Sequence, residues 1–423
     1  MVGSLLVLAA GCPKSSDSGD GDPASGVAAV TVTGAGSVEG LEVVFHKPDG
    51  SVLAHVQTDA SGRASANIES GGLVTVGRYV SAPSARWELT TIAGVQVGDE
   101  LVLGRPSAGS SAGTAAIGFT GPASSATEYR VDVGCNAGVA FSVGTPVSVP
   151  FYSTCGATLD ALTIARGAGS ALVAWTTALD LSISGIAPSQ TAAATSAAWR
   201  TDFGSLALTL ANPPASGATA AATLTPRRNG IRFSSSATSQ TVTLAPPATA
   251  NLSLPFAQDF ASSARLEVRV THQSSTDDSR FIDNGAAFGA RTLDLATALP
   301  PRVTGAQLVE TSGVLSASWS LAAADAGLDA TTLSASWNDT AGRHDWKVVM
   351  PPGVAQFAFP VLPAALAAYL PVGGTAPSWF EVTVDDVSTT AGYDAFRAAN
   401  LGLVYAIPET GTWSLRRSST VTF

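Results

Sequence analysis

Charge is scarce in this chain of 423 residues. Lys and Arg number 22, Asp and Glu number 32, and together they make up 13% of the chain, about half the share of an ordinary globular protein. Hydrophobic residues reach 45%, which excludes the weakly hydrophobic composition of disordered chains. The net charge is −10, and the three lysines (Lys14, Lys47 and Lys347) are too few to build a basic patch. The composition therefore argues against a nucleic-acid partner, which clustered Lys and Arg would bind.

Histidine and cysteine are also rare, with four and three residues. His46 and His55 flank a predicted turn, and Asp59 is the nearest further ligand for a zinc ion. We expect strand-surface histidines instead, because the four are isolated from one another in the sequence: His46, His55, His272 and His344. The sequence accordingly predicts no metal site and no cofactor.

Long hydrophobic runs are absent, and the apolar stretch 4–10 is far too short to span a bilayer, which takes about 20 residues. It has the character of the apolar part of a secretory signal. The sequence LAAGC at 8–12 resembles the lipobox of bacterial lipoproteins, in which the cysteine becomes the lipidated first residue. The resemblance implies a signal peptide over 1–11 and membrane attachment through a lipid on Cys12.

A polar tether rich in Gly, Ser and Asp follows at 12–26. Pro13 stands after the cysteine, where this lipoprotein family commonly has Asp for retention at the inner membrane. We therefore expect attachment to the outer membrane, with the body of the protein either exposed on the cell surface or facing the periplasm.

The body of the chain is predicted to be all-β. No helical periodicity of any length is present between 27 and 300, where short alternating runs are separated by Gly, Pro, Asn-Gly and Asp-Gly. This pattern is typical of tandem antiparallel, immunoglobulin-like β-sandwiches. We divide the chain into four units: 27–105, 106–197, 198–298 and 299–423.

The first unit carries four spaced motifs: GLEVVF at 40–45, PDG at 48–50, TDASGR at 58–63 and GGLVTV at 71–76. This spacing resembles the carboxypeptidase-regulatory-like, transthyretin-type β-sandwich. Modules of that family are accessories, so the resemblance implies no peptidase activity.

The second and third units share short matching stretches 92 residues apart. PASSAT at 122–127 returns as PASGAT at 214–219, and Phe141-Ser142 corresponds to Phe233-Ser234. The period fits a sandwich of roughly 100 residues. We interpret the third unit as a duplicate of the second.

Cys135 and Cys155 lie 20 residues apart in a chain that we expect to be exported. Export favours a disulfide between them. A catalytic thiol is the alternative, but no histidine is near either cysteine in the sequence. Arg227 and Pro247 occupy the matching positions of the third unit, so the predicted bridge is a local feature of the second.

In the fourth unit, the motif LSASW at 315–319 recurs at 333–337. Alternation places Leu, Ala and Trp of each copy on one face, which predicts that Trp319 and Trp337 lie in the core. The first copy, with the preceding Pro301-Arg302-Val303, resembles the start of a fibronectin type III domain. Short helices are predicted at 363–370 and 393–400.

Aromatic side chains are the candidate ligand-binding groups. Trp346 stands between Asp345 and Lys347, which predicts that it is exposed. Trp379 and Phe380 are adjacent and cannot both point inward from a regular strand. These three residues are therefore the predicted ligand-binding aromatics, although burial in a core is the usual place for tryptophan.

Two acidic clusters could hold calcium, but solvated loops are the favoured interpretation. The segments that carry them are 276–283, with Asp277, Asp278 and Asp283, and 385–394, with Asp385, Asp386 and Asp394. Gly109–Gly113 (GSSAG) fits the nucleophile-elbow pattern, which has meaning only between a strand and a helix. Here it lies in an Ala/Ser/Gly stretch that we interpret as a linker. No catalytic residue is predicted.

The sequence thus predicts a non-enzymatic, lipid-anchored protein of the cell envelope that acts as a binding or scaffold module. Its partner would be an envelope protein or a glycan. A carbohydrate-binding lipoprotein is the alternative, and a hydrolase with a site spread over loops is a third, less favoured one.

Overall fold

The computed structural model describes residues 25–422 except 35–36, 82–84, 105–109, 120, 122, 124, 141–145, 215–216, 273–275, 312–313, 372–374 and 400–414. The signal peptide, Cys12 and nearly all of the tether lie outside the described residues. The described chain consists of strands with a few short helices, so the predicted all-β sandwich fold is confirmed. Among these residues no helix is long and apolar enough to cross a bilayer.

The first unit folds into two facing sheets, with strand orders β4-β1-β7 and β3-β2-β5-β6. Phe45, Ile68 and Ile92 are fully buried between them. Gly62 closes the turn before β4 with φ +80°, and a Cβ there would meet the carbonyl oxygen of Val32 at 2.3 Å. The strands are β1 (Ser25–Thr33), β2 (Glu42–His46), β3 (Val52–Gln57), β4 (Arg63–Glu69), β5 (Gly72–Val80), β6 (Arg86–Val95) and β7 (Glu100–Gly104).

The second unit has the same strand order, in sheets β11-β8-β14 and β10-β9-β12-β13. As in the first unit, its first and last strands pair in parallel. The predicted disulfide is confirmed, with the Cα atoms of Cys135 and Cys155 5.7 Å apart. The strands are β8 (Ser111–Gly118), β9 (Glu128–Asp132), β10 (Ala137–Ala140), β11 (Val147–Tyr152), β12 (Thr158–Arg166), β13 (Leu172–Ser182) and β14 (Thr191–Thr195).

The third unit repeats this order in β19-β15-β22 and β18-β16-β20-β21, with the short β17 also paired to β16. Helix α1 (Leu295–Ala298) follows, and the side chain of Asp294 caps its N-terminus. The strands are β15 (Phe203–Ala211), β16 (Thr219–Arg228), β17 (Ile231–Arg232), β18 (Thr238–Thr243), β19 (Ala250–Ala257), β20 (Ser263–Thr271), β21 (Asp277–Ala286) and β22 (Arg291–Asp294).

The fourth unit has a different order, β23-β24-β27 facing β26-β25-β28-β29. Trp319 and Trp337 are buried between these sheets, as the repeated motif predicts. The predicted helix at 363–370 is a 3₁₀ helix (Ala364–Tyr369), and the other is α2 (Tyr393–Ala398). The strands are β23 (Val303–Thr311), β24 (Val314–Leu321), β25 (Ala330–Asp339), β26 (Gly342–Met350), β27 (Gln356–Ala358), β28 (Trp379–Val387) and β29 (Leu415–Thr422).

Three of the units share one continuous sheet of 13 strands. Strand β6 of the first unit pairs in parallel with β26 of the fourth, and β21 of the third unit pairs antiparallel with β29. The second unit keeps its own two sheets. We call the 13-stranded assembly the shared sheet, and its formation was not predicted from the sequence.

The two faces of the shared sheet differ. One face, the covered face, buries Leu333, Trp346 and Val382 against the sheet β23-β24-β27. The opposite face is apolar only at one end, where Ile92 and Val349 pack under the sheet β4-β1-β7 and helix α2. The remainder of that second face is polar, and we call it the open face.

Helix α2 fixes the first unit to the fourth. Tyr393 donates a hydrogen bond from its hydroxyl to the carbonyl of Ala93 at 2.7 Å. The buried guanidinium of Arg397 donates to the carbonyl of Gly94 at 2.7 Å and pairs with Asp99 at 2.8 Å. A charge buried in this way is costly unless it is paired, so these contacts specify how the two units join.

The candidate ligand-binding groove

A groove of about 570 Å³ lies on the open face, and its floor is the shared sheet. Strands β6, β20, β21, β25, β26, β28 and β29 contribute its lining, so side chains of the first, third and fourth units meet there. Successive residues of a strand point to opposite faces, which explains why the same strands carry the polar lining and the apolar core.

The register of the strands sets the floor out in rows. One row runs across five strands through Thr90, Lys347, Ser334, Glu381 and Thr422. Neighbouring members of a row are about 5 Å apart, the spacing of adjacent strands. The row therefore places a cation and a carboxylate on either side of a serine.

The next row is made of hydroxyls and ends in an acid. Thr332, Thr383, Thr420 and Asp278 are registered on adjacent strands. The hydroxyls of Thr383 and Thr420 are hydrogen-bonded at 2.8 Å. Hydroxyls both donate and accept, so this floor can bind ligand groups of either kind.

Most charges of the groove are held in ion pairs. Arg416 binds Asp385 at 2.6 Å, Arg269 binds Asp278 at 2.8 Å, and Arg343 binds Asp345 at 2.8 Å. Five basic and five acidic residues line the groove, so its formal charge is balanced: Arg269, Arg280, Arg343, Lys347 and Arg416 against Glu88, Asp278, Asp345, Glu381 and Asp385.

Glu381 differs from the groove aspartates. Its half-buried carboxylate accepts a hydrogen bond from the hydroxyl of Thr383 at 3.4 Å, and among the described residues it forms no ion pair with an arginine. Burial raises the pKa of Glu381 above its ordinary value. A carboxylate has about four acceptor positions, so Glu381 can accept further donors from a ligand.

Lys347 is the lysine of the groove floor. Burial lowers its pKa to about 8, and the negative charge of Asp385 opposes that change. The ammonium therefore loses its proton more readily than that of an exposed lysine.

The three predicted ligand-binding aromatics separate in the structure. Trp379 is half-buried and lines the groove. Phe380 is buried in the core beneath the covered face. The prediction that Trp346 is exposed is wrong: its indole is buried in the same core and donates a hydrogen bond to the hydroxyl of Thr91 at 2.9 Å. Alternation explains this, since its neighbours Asp345 and Lys347 point to the open face.

The acidic residues of these segments do not lie in solvated loops, and that prediction is wrong; of the six aspartates only Asp394, in α2, is exposed. Asp277 and Asp278 lie in β21, Asp385 lies in β28, and all three are buried. Arginines pair with them, including Arg302 with Asp277. Within the described residues no group of three or more His, Cys, Asp or Glu could hold a metal ion.

The prediction of strand-surface histidines is correct only for His55, which pairs with Glu42 at 2.5 Å on a partly exposed surface. His46, His272 and His344 are buried. Each has a polar partner that satisfies a ring nitrogen, namely Thr75, Ser279 and Asp339 respectively. Burial lowers the pKa of His46 to about 4.

The nucleophile-elbow pattern at 109–113 also differs from its interpretation as a linker. Gly109 lies outside the described residues, while Ser111–Gly113 form the start of β8. The nucleophile elbow of a hydrolase lies between a strand and a helix, whereas Ser111 is followed by a strand, so the structure does not match the motif.

Comparisons with known proteins name no family for the chain. No family model and no curated protein matches it. Among solved structures, the Bacillus anthracis TIE protein is 13% identical to this chain, with a TM-score of 0.14. The similarity covers 64% of this chain and half of the length of that protein. A Bacteroides uniformis protein named for carbohydrate binding is 12% identical over 52% of this chain and 98% of its own, with a TM-score of 0.17. Similarities of this size carry no argument about function.

Proposed function

We propose that this protein is a non-enzymatic, lipid-anchored protein of the cell envelope that binds an envelope component in the groove on the shared sheet. One observation carries the proposal: polar side chains of three units converge on a single groove of about 570 Å³. Clefts between domains are common ligand sites, and this volume is within the usual range of such sites.

The pairing of the units supports a scaffold role as well. The groove spans the two junctions at which β6 pairs with β26 and β21 pairs with β29. Main-chain hydrogen bonds cross both junctions, so the first, third and fourth units present the groove on one continuous sheet. A preorganised floor reduces the entropy that a ligand loses on binding.

The chemistry of the groove favours binding over catalysis. Asp278, Asp345 and Asp385 are each ion-paired with an arginine, so a proton from a ligand would have to compete with that arginine for the carboxylate. Under the hydrolase alternative, the protein turns over a substrate, and a change of an acidic groove residue abolishes that turnover. Activity on any member of a broad substrate panel would therefore overturn the non-enzymatic assignment.

The carbohydrate-binding alternative has support of its own. Trp379 places an aromatic side chain at the groove, next to a floor of serine and threonine hydroxyls. Aromatic and hydroxyl groups together suit the mixed apolar and polar surface of a sugar.

The lipid anchor is tested by Cys12→Ser. Because acyl chains supply the membrane affinity, the variant should pass from the detergent phase to the aqueous phase on detergent partition. Protease treatment of intact cells, with lysed cells as control, then shows whether the body faces outward or the periplasm. A wild-type protein in the aqueous phase would contradict the anchor.

The groove is tested by filling it. Ser334→Trp places an indole on the floor, and Ser318→Trp, at an exposed serine of the other LSASW copy, is the matched control. We would measure co-sedimentation of the purified protein with peptidoglycan sacculi and with outer-membrane vesicles. Retention should be lost only in Ser334→Trp, and retention equal to that of the control would overturn the groove as the binding site.

A further inference from the structure

We infer that the part of the groove between Trp379 and Glu381 is a subsite for an uncharged sugar ring, which stacks on the indole while its hydroxyls donate to the carboxylate. The inference rests on the proposed function, because it names the ligand class of the same groove. Four features of the described residues lead to it.

The first feature is the placement of the indole and the carboxylate. Trp379 and Glu381 are two residues apart on β28, and the buried Phe380 lies between them. Both therefore point to the open face, with Cα atoms about 7 Å apart. A single six-membered ring can contact both groups at this spacing.

The second feature is the floor beside them. Ser336 is registered opposite Trp379, and Ser334 is registered opposite Glu381. The hydroxyl of Ser336 already bonds to Asp345 at 2.5 Å, whereas Ser334 is half-buried in the lining. A ring resting on β28 thus has the Ser334 hydroxyl within its footprint.

The third feature is the bonding capacity of Glu381. Its carboxylate accepts only the long bond from Thr383 among the described residues. Two neighbouring hydroxyls of a sugar can donate to the two oxygens of one carboxylate, and bonds to a charged acceptor are the stronger kind.

The fourth feature is the balance of charge around the subsite. A carboxylate on the ligand would be repelled by Glu381. Asp278 and Asp385, which are close enough to Glu381 to act on it electrostatically, would add to this repulsion. An ammonium on the ligand could pair with Glu381, but it would also be repelled by Lys347 and Arg280, which act on the same carboxylate. Hydroxyls meet neither repulsion and can pair with groups of both signs, which selects an uncharged ligand.

The test measures affinity for defined sugars by isothermal titration calorimetry on the full-length protein. The probes are neutral oligosaccharides of glucose, galactose and mannose, with oligomers of glucuronic acid and of glucosamine as charged counterparts. The variants are Glu381→Gln, Trp379→Ala and Trp379→Phe, and Glu310→Gln on the exposed surface of β23 is the matched control.

At least one neutral oligosaccharide should bind more tightly than its charged counterparts. Glu381→Gln and Trp379→Ala should each weaken that binding about tenfold or more. Trp379→Phe should retain most of the wild-type affinity, and Glu310→Gln should leave the affinity unchanged. Circular dichroism checks that each variant is folded, and Glu381→Gln preserves side-chain shape.

Three results would overturn the subsite. The first is tighter binding of a charged oligomer than of every neutral one, the second is unchanged affinity in both Glu381→Gln and Trp379→Ala, and the third is no binding of any of these sugars. If no sugar binds while Ser334→Trp still abolishes retention on the envelope, the subsite is wrong and the groove stands. If Ser334→Trp also keeps its retention, the proposed function fails with it.

Discussion

Acid should weaken the junction between the first and fourth units, because a buried histidine of the first unit is linked to it through a chain of hydrogen bonds. His46 is fully buried, and its Nε2 is 3.0 Å from the hydroxyl of Thr75. The chain of contacts continues to Thr91 at 2.9 Å and from there to the indole of Trp346 in the fourth unit. These partners are neutral, so they offer a protonated imidazole no opposite charge.

The size of the effect follows from the pKa of His46. Burial lowers it from 6.5 to about 4, so the fold favours the neutral ring. The stabilisation is present above pH 6.5 and is lost as the pH falls to about 4, because the unfolded state then binds a proton that the folded state resists. The change corresponds to about 3 kcal/mol of unfolding free energy.

The measurement is urea unfolding of the wild type and of His46→Gln at several values between pH 7.5 and pH 4, followed by tryptophan fluorescence. Subtraction of the two profiles removes the titration of all other groups. The advantage of the wild type over the variant should decrease by about 3 kcal/mol over this range. Parallel profiles would refute the reasoning, since the histidine would then have the same pKa in both states.

Three further predictions concern stability. Reduction of the Cys135–Cys155 bridge, which closes a loop of 20 residues, should lower the unfolding free energy of the second unit by about 3 kcal/mol; an unchanged urea midpoint would contradict this. Arg397→Met should lower the unfolding free energy by about 2 kcal/mol, because it removes charged hydrogen bonds. Asp394→Asn removes an ion-pair partner of Arg397 that is 80% exposed, so it should lower the unfolding free energy by less than about 1 kcal/mol. Equal losses in the two variants would argue against α2 as the link between the units. Gly62→Ala should lower the thermal midpoint, because a Cβ clashes with backbone there, and an unshifted midpoint would show that the turn relaxes.

The sequence predicted the local structure well, because a period of two is a property of each strand by itself. It predicted an all-β fold, a disulfide and the burial of Trp319 and Trp337. Trp346 shows the limit of this local pattern: charged neighbours in a strand point to the opposite face, so they do not indicate that the residue between them is exposed.

The groove could not be predicted, because it depends on pairing between distant strands. Residues 88–90 and 343–347 become neighbours only when β6 and β26 pair in parallel. Nothing in the hydrophobic period of either strand specifies its partner, and register between distant strands is set by the assembled core. The one signal in the sequence for the groove was the alternation of polar residues on β25 and β28, such as Ser334 and Glu381. This signal is ambiguous, because the solvent-exposed face of any strand shows the same alternation.

Photo-crosslinking in growing cells tests the groove as the binding site most directly. A benzophenone side chain would replace Thr422, which lies in the same row as Glu381, or Ser318 on the exposed surface of β24 as the control. We predict an ultraviolet-dependent adduct with an envelope component at Thr422 and none at Ser318. Adducts of equal yield at both positions, or at Ser318 alone, would contradict the assignment of the groove.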